Sequence, residues 1–444
     1  MDREPYHCEG GGPLATMPRL NRTTREEGFL KHRWLVIWAC LVAVLGFGVA
    51  ACGDEEESGG GASGDGGSTL TVYSSLPLQG DSRPQSEDVV RGIRLALDQA
   101  GGKVGNFTIK YVSLDDATAS AGKWDPGQTS ANARKVVGDD TAIAYIGEFN
   151  SGATAISLPI LNEAGIAMVS PANTYVGLTR SEGADEGEPD KYYPSGQRTY
   201  ARVVPADHIQ AAADVTYMKD QGCTKVFILN DKEVYGAGLA GNVASIAEEQ
   251  GLQVLGNDGI DTKAANFRAN AQKIADAGAD CFFFGGITQN KGVQVFKDVY
   301  SANPEIKMFG PDGVAESAFS GELGPEVEKA VWVTAPTLDP KLYPPAAQEF
   351  YKEFRSQHGK DPEPYAIYGY EAMNVVLDAL ERAGEQANDR AAVLEQIFST
   401  QNRESVLGTY DIDENGDTTL TDYGGYRVEG GELVFDKVIK AAAT

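Results

Sequence analysis

Two rounds of short apolar segments alternating with amphipathic ones, the second beginning after Pro205, constrain this chain more than any other feature. In the first round, residues 70–74, 107–113, 142–147 and 166–169 have the length and β-rich composition of strands. Helices are expected between them. One is capped by Ser86, with Val89, Ile93, Ala96 and Leu97 on a shared face; one runs from Pro126 to about Gly138; one covers 151–163. The second round has helices from Asp207 and Tyr235 and strands at 225–229, 252–255, 281–284 and 307–309. Helical segments follow near 345–357, 365–383 and 389–399, and residues 408–439 read as hairpins with turns at 414–416 and 429–431. Strands alternating with helices imply an α/β chain of parallel, doubly wound sheets. Two such lobes with a late helical portion imply interleaved domains and a cleft where carboxyl ends of strands converge.

The segment before the first strand has a different character. Arg22, Arg25, Lys31 and Arg33 precede an apolar run over 34–51, which ends Val49-Ala50-Ala51-Cys52. That is the order of an export signal, and a cysteine after small residues resembles a bacterial lipobox. The resemblance implies cleavage before Cys52, a diacylglycerol on its sulfur and tethering outside the cytoplasmic membrane. An uncleaved signal anchor is the alternative, since eighteen apolar residues sit at the lower limit for a spanning helix. Residues 1–51 are thus read as the signal, with 1–16 as a start-site extension ahead of Met17, and 52–68 as an acidic, glycine-rich tether.

Beyond Ala51 the chain carries 32 basic and 59 acidic residues, a net charge of −27. Such a surface repels nucleic acid and anionic lipid headgroups, which excludes both as partners. Of the five cysteines only Cys223 and Cys281 remain after export and lipidation. An exported pair is a disulfide candidate. Two buried thiols are the competing reading, because the offsets of Cys223 and Cys281 from their strand starts differ by about three residues, on the order of 10 Å.

Gly236-Ala237-Gly238-Leu239-Ala240-Gly241 matches a dinucleotide fingerprint, with Asp258 where a ribose-binding acid would stand, but its first glycine does not directly follow the strand. Asp411-x-Asp413-x-Asn415-Gly416, with Asp422 twelfth, resembles a calcium loop, yet its flanks are strand-like and its last ligand is not glutamate. His208 and His358 belong to no nucleophile or metal motif, and Gly-x-Ser-x-Gly, His-Glu-x-x-His and Cys-x-x-Cys do not occur. Weight therefore moves from enzyme to binder, without a cofactor or metal. The useful constellation joins two strand ends. Residues 142–147 lead through Glu148-Phe149-Asn150 to Ser151 at a helix start, and 166–169 lead to Ser170-Pro171-Ala172-Asn173-Thr174. Free helix-terminal N–H groups and hydroxyls there suit a carboxylate. Ordinary N-capping by Ser151 and Thr174 is the alternative.

With these residues in place the chain resembles the branched-chain amino-acid type of solute-binding lipoprotein, the type I periplasmic binding fold of the leucine/isoleucine/valine-binding proteins. Eight marks in order carry the resemblance: Ile146-Gly147 with Ser151, Ser170-Pro171-Ala172-x-Thr174, Arg202-Val203-Val204-Pro205, 231–236 with Tyr235, Phe284-Gly285-Gly286, Gly310-Pro311-Asp312-Gly313, Tyr370-Glu371-Ala372 and Asn415-Gly416-Asp417. It implies two lobes joined by three crossovers, here 69–204 plus 336–405 and 205–335 plus 406–444, closing on a small ligand that is delivered to an ABC permease. A monomer is implied as well. Ser151, the Ala172 backbone and Thr174 would hold a ligand α-carboxylate, Tyr235 would line the second lobe, and Asp312 would meet the α-ammonium. Gln85 and Ile287 stand where the family has aromatic residues, so the side-chain preference departs from the usual leucine type. The insert over 181–197, with Tyr192 and Tyr193, either reaches the cleft or forms a surface loop. A ligand sensor read by a separate receptor is the alternative role.

Overall fold

The computed structural model describes residues 68–441; the export segment, Cys52 and nearly all of the tether lie outside the described residues. The first lobe begins with β1 (Thr69–Leu76), α1 (Arg83–Gln99), β2 (Lys103–Val104), β3 (Phe107–Asp115) and the short pair β4 (Ala117–Thr118) and β5 (Lys123–Trp124). It continues with α2 (Pro126–Val137), β6 (Ala142–Gly147), α3 (Ser151–Glu163), β7 (Ala167–Ser170) and β8 (Tyr200–Arg202). The sheet order is β2-β3-β1-β6-β7-β8, parallel except at the edge strand β2. Every residue of β6 is buried, as expected of a central parallel strand covered on both faces.

The chain then crosses over and builds α4 (Asp207–Asp220), β9 (Lys225–Asn230), α5 (Val234–Glu249), β10 (Gln253–Gly259), α6 (Arg268–Asp276) and β11 (Cys281–Gly285). After these come α7 (Gly292–Ala302), β12 (Lys307–Gly310), α8 (Ser317–Leu323) and β13 (Val331–Ala335). It returns to the first lobe for α9 (Pro345–His358), α10 (Ala366–Ala383), α11 (Arg390–Phe398) and the pair β14 (Arg403–Ser405) and β15 (Gly408–Tyr410). Finally β16 (Asp422–Glu429) and β17 (Glu432–Lys440) complete the second sheet, ordered β10-β9-β11-β12-β13-β16-β17 and antiparallel only at its last two strands.

Close packing of α1 on α10 ties the returning helices to the first lobe. A Cβ on Gly92 would come within 2.2 Å of the Ala366 carbonyl oxygen, and one on Gly369 within 2.5 Å of the Val89 carbonyl oxygen. Only glycine permits that approach.

Several expectations are corrected. Ser86 lies inside α1 rather than capping it, because Pro84 fits the first turn and the helix starts at Arg83. The second lobe resumes later than residue 406, since Val406, Leu407, Tyr410 and Ile412 join the first lobe's core. The 414–416 turn closes no hairpin of the second sheet; only Ile412 and Thr418 pair across it. β13 was not foreseen. The glycines of the dinucleotide-like string lie within α5, where Gly238 admits the Tyr175 ring, and not in a strand-to-helix turn. In the calcium-like loop, Asp413 and Asp417 accept Arg180, and Asp417 also accepts the fully buried Arg202 at 2.7 Å. These acids are already neutralised by guanidiniums.

Cys223 and Cys281 are joined, with Cα atoms 5.8 Å apart. Cys281 sits opposite Val226 in the β9–β11 pairing. The three-residue offset closes because Cys223 lies in the turn after α4, ahead of its strand.

Candidate ligand-binding cleft

All seven residues expected at the site, Gln85, Ser151, Ala172, Thr174, Tyr235, Ile287 and Asp312, line one cavity where the two lobes meet. Parallel strands of each lobe end there. β6 and β7 deliver the first lobe's loops, and β9, β11 and β12 deliver the second lobe's. Ser151 is the first residue of α3, whose cap position is Asn150, and it makes no cap bond; its hydroxyl accepts the Tyr175 amide at 3.3 Å. Ordinary capping by Ser151 is therefore absent. The α3 N-terminus opens at the cavity wall, with Asn150 and Ser151 lining it. Thr174 uses its carbonyl to accept the Asp207 amide at 2.7 Å.

From the second lobe Asp312 enters between two phenols. Tyr235 donates to its Oδ1 at 2.6 Å, and Tyr365 of the first lobe donates to its Oδ2. Burial raises the Asp312 carboxyl above its ordinary range, against the two phenol hydrogen bonds. Nearby Asp207 is fully buried with neither carboxyl oxygen partnered, and burial, followed by the charge of Asp312, pushes it to about 8. Behind the first lobe's wall lies another carboxyl pair. Glu148 accepts Tyr145 at 2.6 Å and is pushed by burial to about 7, while burial and then Glu148 raise Asp116 well above its usual value.

Sequence reading missed Ser82, Gln289, Glu316 and Tyr365, which also line the cavity. Phe149 does so too and packs edge-on against Tyr365, centroids 5.6 Å apart. Phe149 and Asn150 stood in a loop already singled out. Tyr365 and Glu316 had no motif to announce them, although Glu316 follows the Gly310–Gly313 turn by three residues.

Around the cavity the lobes touch. Lys123 pairs with Glu233 at 2.5 Å and donates to Asn290 at 2.7 Å, while Ser317 donates to Glu363 at 2.7 Å. The 181–197 insert lines no part of this cavity. Tyr192 and Tyr193 are buried in the first lobe's outer core, where Glu188 accepts both Tyr175 and Tyr192.

The family model described as periplasmic binding protein matches residues 71–432. Among curated relatives, Leu/Ile/Val-binding protein homolog 2 of Brucella abortus is 28% identical over 366 residues, 82% of this chain and 91% of the relative. Among solved structures, the leucine-binding protein LivK of Thermotoga maritima superposes with a TM-score of 0.73 at 24% identity, covering 84% of this chain and 99% of that one. A solute-binding protein of R. palustris in complex with benzoate gives a TM-score of 0.71 at 20% identity, covering 85% and 98%.

Proposed function

The chain belongs to the periplasmic binding protein family, and on that premise we propose that it is a membrane-tethered protein that delivers an amino acid or related small carboxylate to an ABC importer. Solute binding outside the cytoplasm is the family's work. The tether, the permease and the ligand are this reading's additions. One observation carries it: one cavity between the lobes takes hydroxyls and a helix N-terminus from one lobe and a carboxyl, Asp312, from the other. A zwitterion fits that polarity, its carboxylate on α3, Ala172 and Thr174 and its ammonium on Asp312. The ligand would bridge the lobes and shift an open–closed equilibrium towards the closed form that the permease reads. Relatives named for leucine, isoleucine and valine, and a same-fold neighbour holding benzoate, support a small carboxylate.

Mass spectrometry of the ligand released on denaturing the purified protein tests this. An amino acid or small carboxylate is expected; a sugar or a bare metal ion would contradict the reading. Among the described residues no helix is long and apolar enough to cross a membrane. In this reading attachment rests on Cys52, and replacing it with serine should release the protein from membranes and remove an acyl mass; an unchanged mass and unchanged fractionation would point to residues 34–51 as an uncleaved anchor instead.

A further inference from the structure

Asp312 is not the cavity's sole carboxyl. Glu316, at the cap position of α8, is 3% exposed and lines the same space. Its Oε1 accepts the side-chain amide of Gln289, also a lining residue, at 2.9 Å. A carboxylate has about four acceptor sites, and this amide fills one. Because Gln289 donates there, its own carbonyl oxygen remains an acceptor. The cavity lining thus holds two carboxyls and no lysine, arginine or histidine. An α-ammonium answers one carboxyl; among the described residues the second has no cation to meet it. Burying an acid costs free energy unless it is paired or protonated.

We propose that Glu316, with Gln289, reads a second cationic group on the ligand, so that the preferred amino acids carry a side-chain ammonium or guanidinium. The inference rests on the amino-acid reading of the cleft and narrows it. Charges then match: the α-carboxylate on the α3 N-terminus and hydroxyls, the α-ammonium on Asp312, and the side-chain cation on Glu316. Burial pushes Glu316 to about 8 against hydrogen bonding by Thr288 and Gln289, and Glu363 and Asp81 of the facing lobe push in the same direction as burial. At neutral pH it therefore carries a proton, which a bound cation displaces.

Calorimetry with L-lysine, L-arginine and L-leucine on wild type and Glu316→Gln tests the assignment. Lysine or arginine should bind more tightly than leucine. The near-isosteric Glu316→Gln should lower the ratio of lysine to leucine affinity roughly ten- to a hundredfold, the worth of one charge-assisted hydrogen bond. Repeating lysine binding at pH 7 in buffers of different ionisation enthalpy should show close to one proton released, lost in the variant. An unchanged affinity ratio with no proton release overturns the role of Glu316. Tight leucine binding with no binding of lysine or arginine overturns it too, while leaving the amino-acid reading standing. Failure of all three ligands overturns the role of Glu316 as well, while the amino-acid reading falls only if the ligand released from the purified protein is not an amino acid.

Discussion

The two walls of the cavity are built from opposite chemistry. The first lobe presents donors: the α3 N-terminus and the Ser151 and Thr174 hydroxyls. The second presents acceptors, the carboxyls of Asp312 and Glu316. A ligand with separated charges can satisfy both walls only when the lobes meet around it. In the proposed reading closure and recognition are one event, and affinity depends on the wall facing each end of the ligand.

The donor wall has a hidden condition. Glu148, two residues before Asn150, is held by burial at about 7 beside Asp116. An ionised pair there would oppose a bound carboxylate. Its folded value lies above the usual 4.5, so the stability it contributes is fully present below about pH 4.5 and lost as pH rises to about 7. Relative to wild type, Glu148→Gln should therefore gain about 2 kcal/mol in unfolding free energy between pH 5 and 8. Denaturant titrations at both pH values check this; a constant difference would mean that the pair does not hold a shifted proton. Next in size, Thr174→Val should weaken an α-carboxylate ligand roughly ten- to a hundredfold. An unchanged affinity by calorimetry would leave the donor wall without Thr174. Smallest is the rim. Lys123 and Glu233 are each about a quarter exposed, so Lys123→Met should weaken binding about two- to fivefold, an effect that shrinks with added salt. Titrations at two ionic strengths would show it.

The walls also differ in how readily the sequence disclosed them. The donor wall follows from local pattern: an apolar strand, a short loop and a helix start, repeated for β6–α3 and β7. The same local logic recovered most strands and helices, because parallel strands read as short apolar runs between capped helices. Asp312 was singled out only through the family resemblance, of which its Gly310-Pro311-Asp312-Gly313 turn is one mark. Tyr365, which reaches Asp312 from 53 residues away, was not. Nor was Glu316, which meets Gln289 from a loop 27 residues away. Contacts made between loops distant in sequence leave no periodic signal. The 406–412 segment failed for a related reason: its hairpin-like pattern was clear, but which core it would join was decided by Leu407 and Tyr410 packing among the returning helices.

Asp312 tests the opposition of the walls most directly. Calorimetry on wild type and Asp312→Asn should compare an amino acid that the protein binds with the same molecule lacking its α-amino group. The variant should lose roughly ten- to a hundredfold in affinity for the amino acid and little for the deaminated analogue. Equal losses for both ligands, or none for either, would contradict an acceptor wall that reads an ammonium.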